Sequence, residues 1–261
     1  MRLLPVLSDP EREQIRKAAV QVLRDGDNSE IVLTCEHASC CVPEPWGVLG
    51  LTRSEIEDHI GWDPGAAALT RSLSDALSAT AVLSGYSRLF AECNRMVDAH
   101  DFAAPVSGGV HVPDNQNLTG EELALRKALA FDPYHDTLRQ YLDARISSGV
   151  KPRVISVHSF TPRLGEHERP WHVGVLWKGD GRFAEQLFGH IKAGYDGAVG
   201  FNEPYDAREH ETMILDHHVL PRRLPHAILE IRNDLLGTGE QVAQWSWFIS
   251  RCVKAIEPVW A

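Results

Sequence analysis

The chain has 261 residues, 43% hydrophobic and 24% charged, ordinary proportions for a soluble globular protein with a sizeable core. Its net charge of −10 is spread along the sequence without a basic tract, which argues against a nucleic-acid partner. No apolar run approaches the roughly 20 residues that span a bilayer, the N-terminal M-R-L-L-P-V-L-S-D-P is too quickly charged for a secretory signal, and the five cysteines include no CxxC pair. Cys35, Cys40, Cys41, Cys93 and Cys252 are therefore expected as reduced thiols of a cytoplasmic protein. No repeat or linker divides the sequence, so residues 1–261 are expected to form a single domain.

The D-P start at Asp9 and the spacing of Ile15, Ala18, Ala19, Val22 and Leu23 predict a helix over residues 9–25, ended by Gly26 and Asn28. The β-branched run 31–35 reads as the first core strand and delivers Glu36 and His37 at its end. A Pro- and Cys-rich loop leads to Gly50. Thr52 opens a helix broken near Gly61, and Asp63-Pro64-Gly65 opens another through Leu77. A strand at 79–83 precedes the arginine-bearing stretch 86–95. Residues 99–118 lack periodicity and read as a long loop, unusual enough in a compact domain to suggest function.

From Thr119 a helix is expected to continue, interrupted at Asp132-Pro133, to about Ile146. Residues 153–157 and 173–176 are further strands, 182–195 a helix and 221–225 a turn. A closing helix over 240–256 carries Val242, Ile249 and Val253 on its core face, with Trp245 and Trp247 as core and interface aromatics. Before it lies L-P-H-A-I-L-E-I-R-N-D-L, a buried strand with Glu230, Arg232 and Asp234 at period two on one face. Charged groups in such a strand either pair or serve a site. Alternating strands and helices predict an α/β domain whose mixed, mostly parallel sheet is covered on both faces. Sites in such folds lie beyond the carboxyl ends of the strands, where His37, His158 and Glu230 all fall.

Two histidines and a carboxylate are what a catalytic zinc site needs, leaving a fourth position for water. Asp63, held by a helix start, is the preferred third ligand, with Glu36 and Cys40 as alternatives. Glu230 is then available as general base and acid. Arg88 and Arg95 offer fixed guanidinium forks, one suited to a developing oxyanion and the other, with Asn94, to a substrate carboxylate. Arg232 and His217, the latter in I-L-D-H-H, are further substrate-binding candidates.

The segments C-E-H-A-S-C-C-V-P, W-D-P-G, S-R-L-F-A-E-C-N-R, V-H-S-F-T-P and L-E-I-R-N-D-L, in this order, resemble the N-formylglutamate amidohydrolase family. More distantly, Asn94-Arg95 and Glu230-Ile231-Arg232 resemble the N-R and E-x-R elements of zinc carboxypeptidases and aspartoacylase-like deacylases. The resemblance implies a three-layer α/β/α sandwich, a single zinc ion and hydrolysis of a small N-acyl amino acid bearing a free carboxylate. By position it makes His37 and His158 metal ligands, Glu230 the catalytic carboxylate, Arg88 the oxyanion-stabilising arginine and Asn94-Arg95 the carboxylate-binding pair. Where the carboxypeptidase-like relatives carry a glutamate three residues after the first histidine, this chain has Cys40.

Overall fold

The computed structural model describes residues 4–24, 29–209 and 211–257. The first helix, α1 (Asp9–Ala18), starts on a capping box in which Ser8 and Glu11 satisfy each other's backbone groups. It stops well short of the expected end. Val20–Leu23 is instead an extended edge strand, β1, antiparallel to β3 (Thr80–Ser84). Val22 fits a strand face with Val20 as well as the helical spacing with Ile15, Ala18 and Ala19, and pairing with β3 decides between them. The expected stop at Gly26 and Asn28 lies outside the described residues.

Between these strands lie β2 (Ile31–Cys35), the short α2 (Arg53–Ile56) and α3 (Ala66–Leu77). After β3 come the hairpin β4 (Val106–Ser107) and β5 (Val110–His111), then α4 (Gly120–Arg126) and α5 (Asp132–Ser147). A wide π-type turn over Lys127–Phe131 joins the two helices, so Pro133 sits in a first helical turn where its missing N–H is harmless. Then follow β6 (Arg153–Phe160), a second hairpin of β7 (Arg163–Leu164) and β8 (His167–Glu168), and β9 (Val173–Leu176). The chain continues with α6 (Arg182–Gly194), β10 (Val199–Phe201), β11 (His226–Arg232) and α7 (Gly239–Lys254).

Seven strands form one sheet in the order β1-β3-β2-β6-β11-β9-β10. It is mixed and mostly parallel, with antiparallel pairing only at β1/β3 and β9/β11. Period two divides its core. Leu33, Ile155, Val157, Leu229 and Ile231 pack with α3, α6 and α7, whereas Val32, Val154 and Ile228 pack with α5 and a π-type turn at Ile214–Val219. A further cluster around Trp46, Phe90, Phe102 and Phe131 lies outside these two layers and includes Val112 from the aperiodic segment 99–118. That segment is held by Asn115, whose Nδ2 donates to the carbonyls of Leu89 (2.8 Å) and Ala104 (3.0 Å). All five cysteines are free thiols. No helix among the described residues is long and apolar enough to cross a membrane.

Candidate active site

Strands β2, β6 and β11 are parallel neighbours, so their carboxyl ends lie side by side. His158 and Glu230 are direct cross-strand partners. They continue the alternation of Val154-Ser156 and Ile228, pointing toward the α5 side of the sheet. His37 follows β2 by two residues, and its carbonyl accepts from the Asp63 N–H at 3.0 Å. The W-D-P-G turn is fixed by its surroundings. Gly65 has φ +85°, and a Cβ there would overlap the Leu236 side chain. Ser159 Oγ donates to the Pro64 carbonyl at 2.7 Å, and Ser159 N to Asp63 Oδ2 at 3.3 Å.

These anchors bring His37 Nδ1 to 3.2 Å and His158 Nδ1 to 2.8 Å from the same oxygen, Asp63 Oδ2. One ligand atom from each of the three residues falls within 4.8 Å of the others, and all three are buried. Behind each ring stands a carboxylate. His37 Nε2 lies 2.6 Å from Glu92 Oε1, and His158 Nε2 lies 2.9 Å from Glu36 Oε2, though off the hydrogen-bond line. Glu36 also accepts from Tyr134 Oη (2.7 Å) and Ser156 Oγ (2.6 Å). Burial opposes its charge, but His158 and Ser156 outweigh that and hold its pKa at about 2. Glu92 accepts from Arg88 Nε (3.0 Å) and the Asn94 N–H (2.8 Å), while Arg88 Nη1 sits 3.5 Å from Asp63 Oδ1.

A carboxylate on the rear nitrogen fixes an imidazole's tautomer and orientation, as in metal sites generally. Two Nδ1 atoms and a carboxylate oxygen so presented fit a divalent cation. Beside them Glu230 is 7% exposed, and its Oε2 has no hydrogen-bond partner among the described residues. Burial pushes its pKa up to about 7. All open onto a cavity of about 390 Å³ that also takes in Arg88, Asn94, Arg95, Ser159, Leu176, Tyr205, Ala207, Thr212 and Ile228. Asn94 Oδ1 is buried there without a partner among the described residues, and Arg95 is steadied by Asp101 Oδ2 at 3.3 Å.

Of the residues singled out from sequence, His37, Asp63, Arg88, Asn94, Arg95, His158 and Glu230 therefore meet at one cavity. Two do not. Arg232 forks onto Asp234 (2.8 and 3.2 Å), and His217 faces Glu211 at 3.9 Å with a substantially exposed side chain. Neither lines the cavity. Of the alternative ligands, Glu36 stands behind His158, and Cys40 packs with the cluster around Trp46. Segment 99–118 contributes no lining residue; Asp101 acts only through Arg95.

Glu92, Tyr134, Ser156 and Tyr205 were not legible as site residues. Ser156 had a signal, since it lies two residues before His158 on the same strand face. Glu92 pairs with Arg88 four residues before it in a turn rather than a helix, so helical spacing offered no signal. Tyr134 reaches Glu36 across 98 residues and had none.

A sheet covered by helices on both faces, with a polar cluster at the carboxyl edge of its central strands, is the architecture of an α/β enzyme. The chain belongs to the N-formylglutamate amidohydrolase family, a family of hydrolases, whose model matches residues 29–236. It is similar to the gene product Atu2144 of Agrobacterium tumefaciens, at 32% identity and a TM-score of 0.88, over 92% of this chain and 95% of that one. It shares its fold with an N-formylglutamate amidohydrolase from Ralstonia eutropha JMP134, at 16% identity and a TM-score of 0.68, over 90% of this chain and 96% of that one. No curated protein matches the sequence.

Proposed function

We propose that this protein is a zinc-dependent amidohydrolase that cleaves the amide bond of a small N-acyl amino acid of the N-formyl type. The observation that carries this reading is the convergence of two imidazole Nδ1 atoms on one Asp63 oxygen, each ring backed by its own carboxylate. His37, Asp63 and His158 would hold the ion. A zinc ion so held supplies Lewis-acid chemistry, lowering the pKa of water to about 7 and polarising a carbonyl.

The remaining work falls to the chain's own side chains. Glu230, with a free carboxylate oxygen and a pKa near 7, takes a proton from the attacking water and returns it to the leaving nitrogen. Arg88, clamped by Glu92 and Asp63, presents a fixed positive charge to the oxygen that becomes negative on attack. Asn94 and Arg95 take the free carboxylate of the amino acid. Leu176, Ala207 and Ile228 give the cavity an apolar wall that limits water, and its volume suits a small molecule.

Elemental analysis of the wild type and of His37→Ala, Asp63→Ala and His158→Ala tests the site. About one zinc per chain, lost in each variant, is expected from a three-ligand site. A panel of N-formyl amino acids, N-acetyl amino acids and dipeptides then tests the reaction. A wild type that takes up no metal when zinc is supplied would overturn the proposal, and a preference for dipeptides would make the enzyme a peptidase.

A further inference from the structure

Helix α7 carries an exposed stripe that the active site does not use. Glu240, Gln244, Trp247, Arg251 and Lys254 are all exposed, on the side away from the buried Val242, Ile249 and Val253. Their spacing alternates between four and three residues, the spacing of a coiled-coil seam. Trp247 is 60% exposed, and the other described tryptophans are buried or half-buried. The Arg251 guanidinium stacks 4.6 Å over its ring. Hollows of about 680 and 300 Å³ flank it, one reaching Tyr195 and Leu235, the other His190 and Gly194. An exposed aromatic between two concave surfaces is the composition of an interface centre.

The order of charges on the stripe identifies what covers it. Reversing the helix about the point between Trp245 and Ser246 exchanges Glu240 with Arg251 and Gln244 with Trp247. In an antiparallel helix pair the two seam positions face each other in this way, and a two-fold axis makes such contacts twice. Each Glu240 then meets an Arg251 of opposite charge, each Trp247 packs on the stem of a Gln244, and the two helix dipoles run antiparallel. A chain of net charge −10 repels its own copy over most of its surface, but this face is complementary to itself. We infer that α7 is the interface of a two-fold symmetric homodimer, with Trp247 at its centre and Glu240–Arg251 pairs at its ends.

Sedimentation equilibrium on the full chain, with circular dichroism as the control for folding, tests this. The wild type is expected to sediment at twice the chain mass at tens of micromolar. Glu240→Arg or Arg251→Glu alone sets like charges opposite each other twice and is expected to raise the dimer dissociation constant at least about tenfold. The double swap, Glu240→Arg with Arg251→Glu, is expected to return it to within about threefold of wild type. A monomeric wild type overturns the proposal. So does a dimer that the single reversals leave intact, or one that they weaken and the double swap does not restore.

Discussion

Replacing Glu36 by Gln tests whether the carboxylate behind His158 sets the ring for metal binding. Glu36 is 1% exposed, and its oxygens receive Tyr134 at 2.7 Å and Ser156 at 2.6 Å while facing His158 Nε2 at 2.9 Å. When a cation takes Nδ1, the ring proton resides on Nε2 and needs an acceptor. An amide has one acceptor oxygen and two donor hydrogens, so the substituted side chain cannot serve both sides of the cluster. Exchanging a charge-assisted hydrogen bond for a neutral one loses about 1 kcal/mol per bond. For the His158 contact, once the ring turns onto the hydrogen-bond line, that is a factor of about five in metal affinity, just below the 10–100-fold range for such outer partners.

Glu36→Leu removes every acceptor and leaves the Tyr134 hydroxyl and the His158 N–H buried and unpaired, at about 1–3 kcal/mol each. Zinc affinity, measured by competition with a chromophoric chelator, should therefore fall in the order wild type, Gln variant, Leu variant. Thermal unfolding of the metal-free forms separates lost folding from lost affinity. Affinities within threefold of wild type in both variants would refute the argument and leave Glu36 a structural acid.

Glu230→Gln should keep its metal and lose about 10²- to 10⁴-fold in kcat, the usual contribution of a general base; turnover within tenfold of wild type would remove Glu230 from that role. Arg95→Ala should raise KM for carboxylate-bearing substrates by about 10- to 100-fold with a smaller change in kcat, whereas Arg232→Ala, already committed to Asp234, should leave both within about twofold. Equal losses in the two variants would mean that the carboxylate pocket is misplaced. His135 Nδ1 and His218 Nε2 lie 2.9 Å apart, both buried, and burial pushes their pKa values down to about 3 and about 4. The unfolded chain takes up these protons near pH 6.5, so their neutral burial carries no penalty above that pH, and stability falls as pH drops from 6.5 toward 4, by about 1.4 kcal/mol per pH unit per histidine. Urea unfolding at pH 7 and pH 5 should show this loss, and a double His135→Gln, His218→Gln variant that kept the same slope would assign it elsewhere.

The central strands were legible because 31–35, 153–157 and 227–229 are apolar runs too short for helices, and a parallel sheet then places whatever follows them at one edge. That is why His37, His158 and Glu230 could be grouped without knowing any contact. Arg232 shows where the same logic stops short of the cavity. Period two put it on Glu230's face, but the strand ends there, and the tight turn Asn233–Leu235 carries Asp234 back against it. Val22 fits both periods, so β1 became visible only with its partner β3. Residues 99–118 lack periodicity because a short hairpin, β4 and β5, and the buried Phe102, Val112 and Asn115 order them in place of a long helix or strand. Tyr134 and Glu92 are site residues through tertiary pairing alone, which no local pattern records.

The buried charges make one further demand on the site. Glu36, Asp63, Glu92 and Glu230 are all buried around two imidazoles and the guanidinium of Arg88. The first three are held in their charged forms below the usual carboxylate range, while Glu230 is pushed up to about 7. Three fixed negative charges therefore face the Arg88 guanidinium, the neighbouring Arg95 being paired with Asp101, and buried charge of one sign is costly unless compensated. Two further positive charges restore balance. In the metal-free site protonated His37 and His158 supply them: burial opposes their charge, but Glu36, Asp63 and Glu92 outweigh it and push both pKa values up, with the ring centroids only 4.8 Å apart. A single divalent ion supplies the same charge between the rings and leaves both neutral. Removing the ion should thus cost folding stability: at a free zinc concentration 100 times Kd the bound form gains about 2.7 kcal/mol. For a domain of this size that corresponds to a Tm about 5–10 °C lower after chelation, restored by zinc. In Asp63→Ala the chelated and zinc-supplied forms should melt together. A wild-type Tm indifferent to chelation would show that the cluster is balanced without a metal, and the hydrolytic mechanism would lose its foundation.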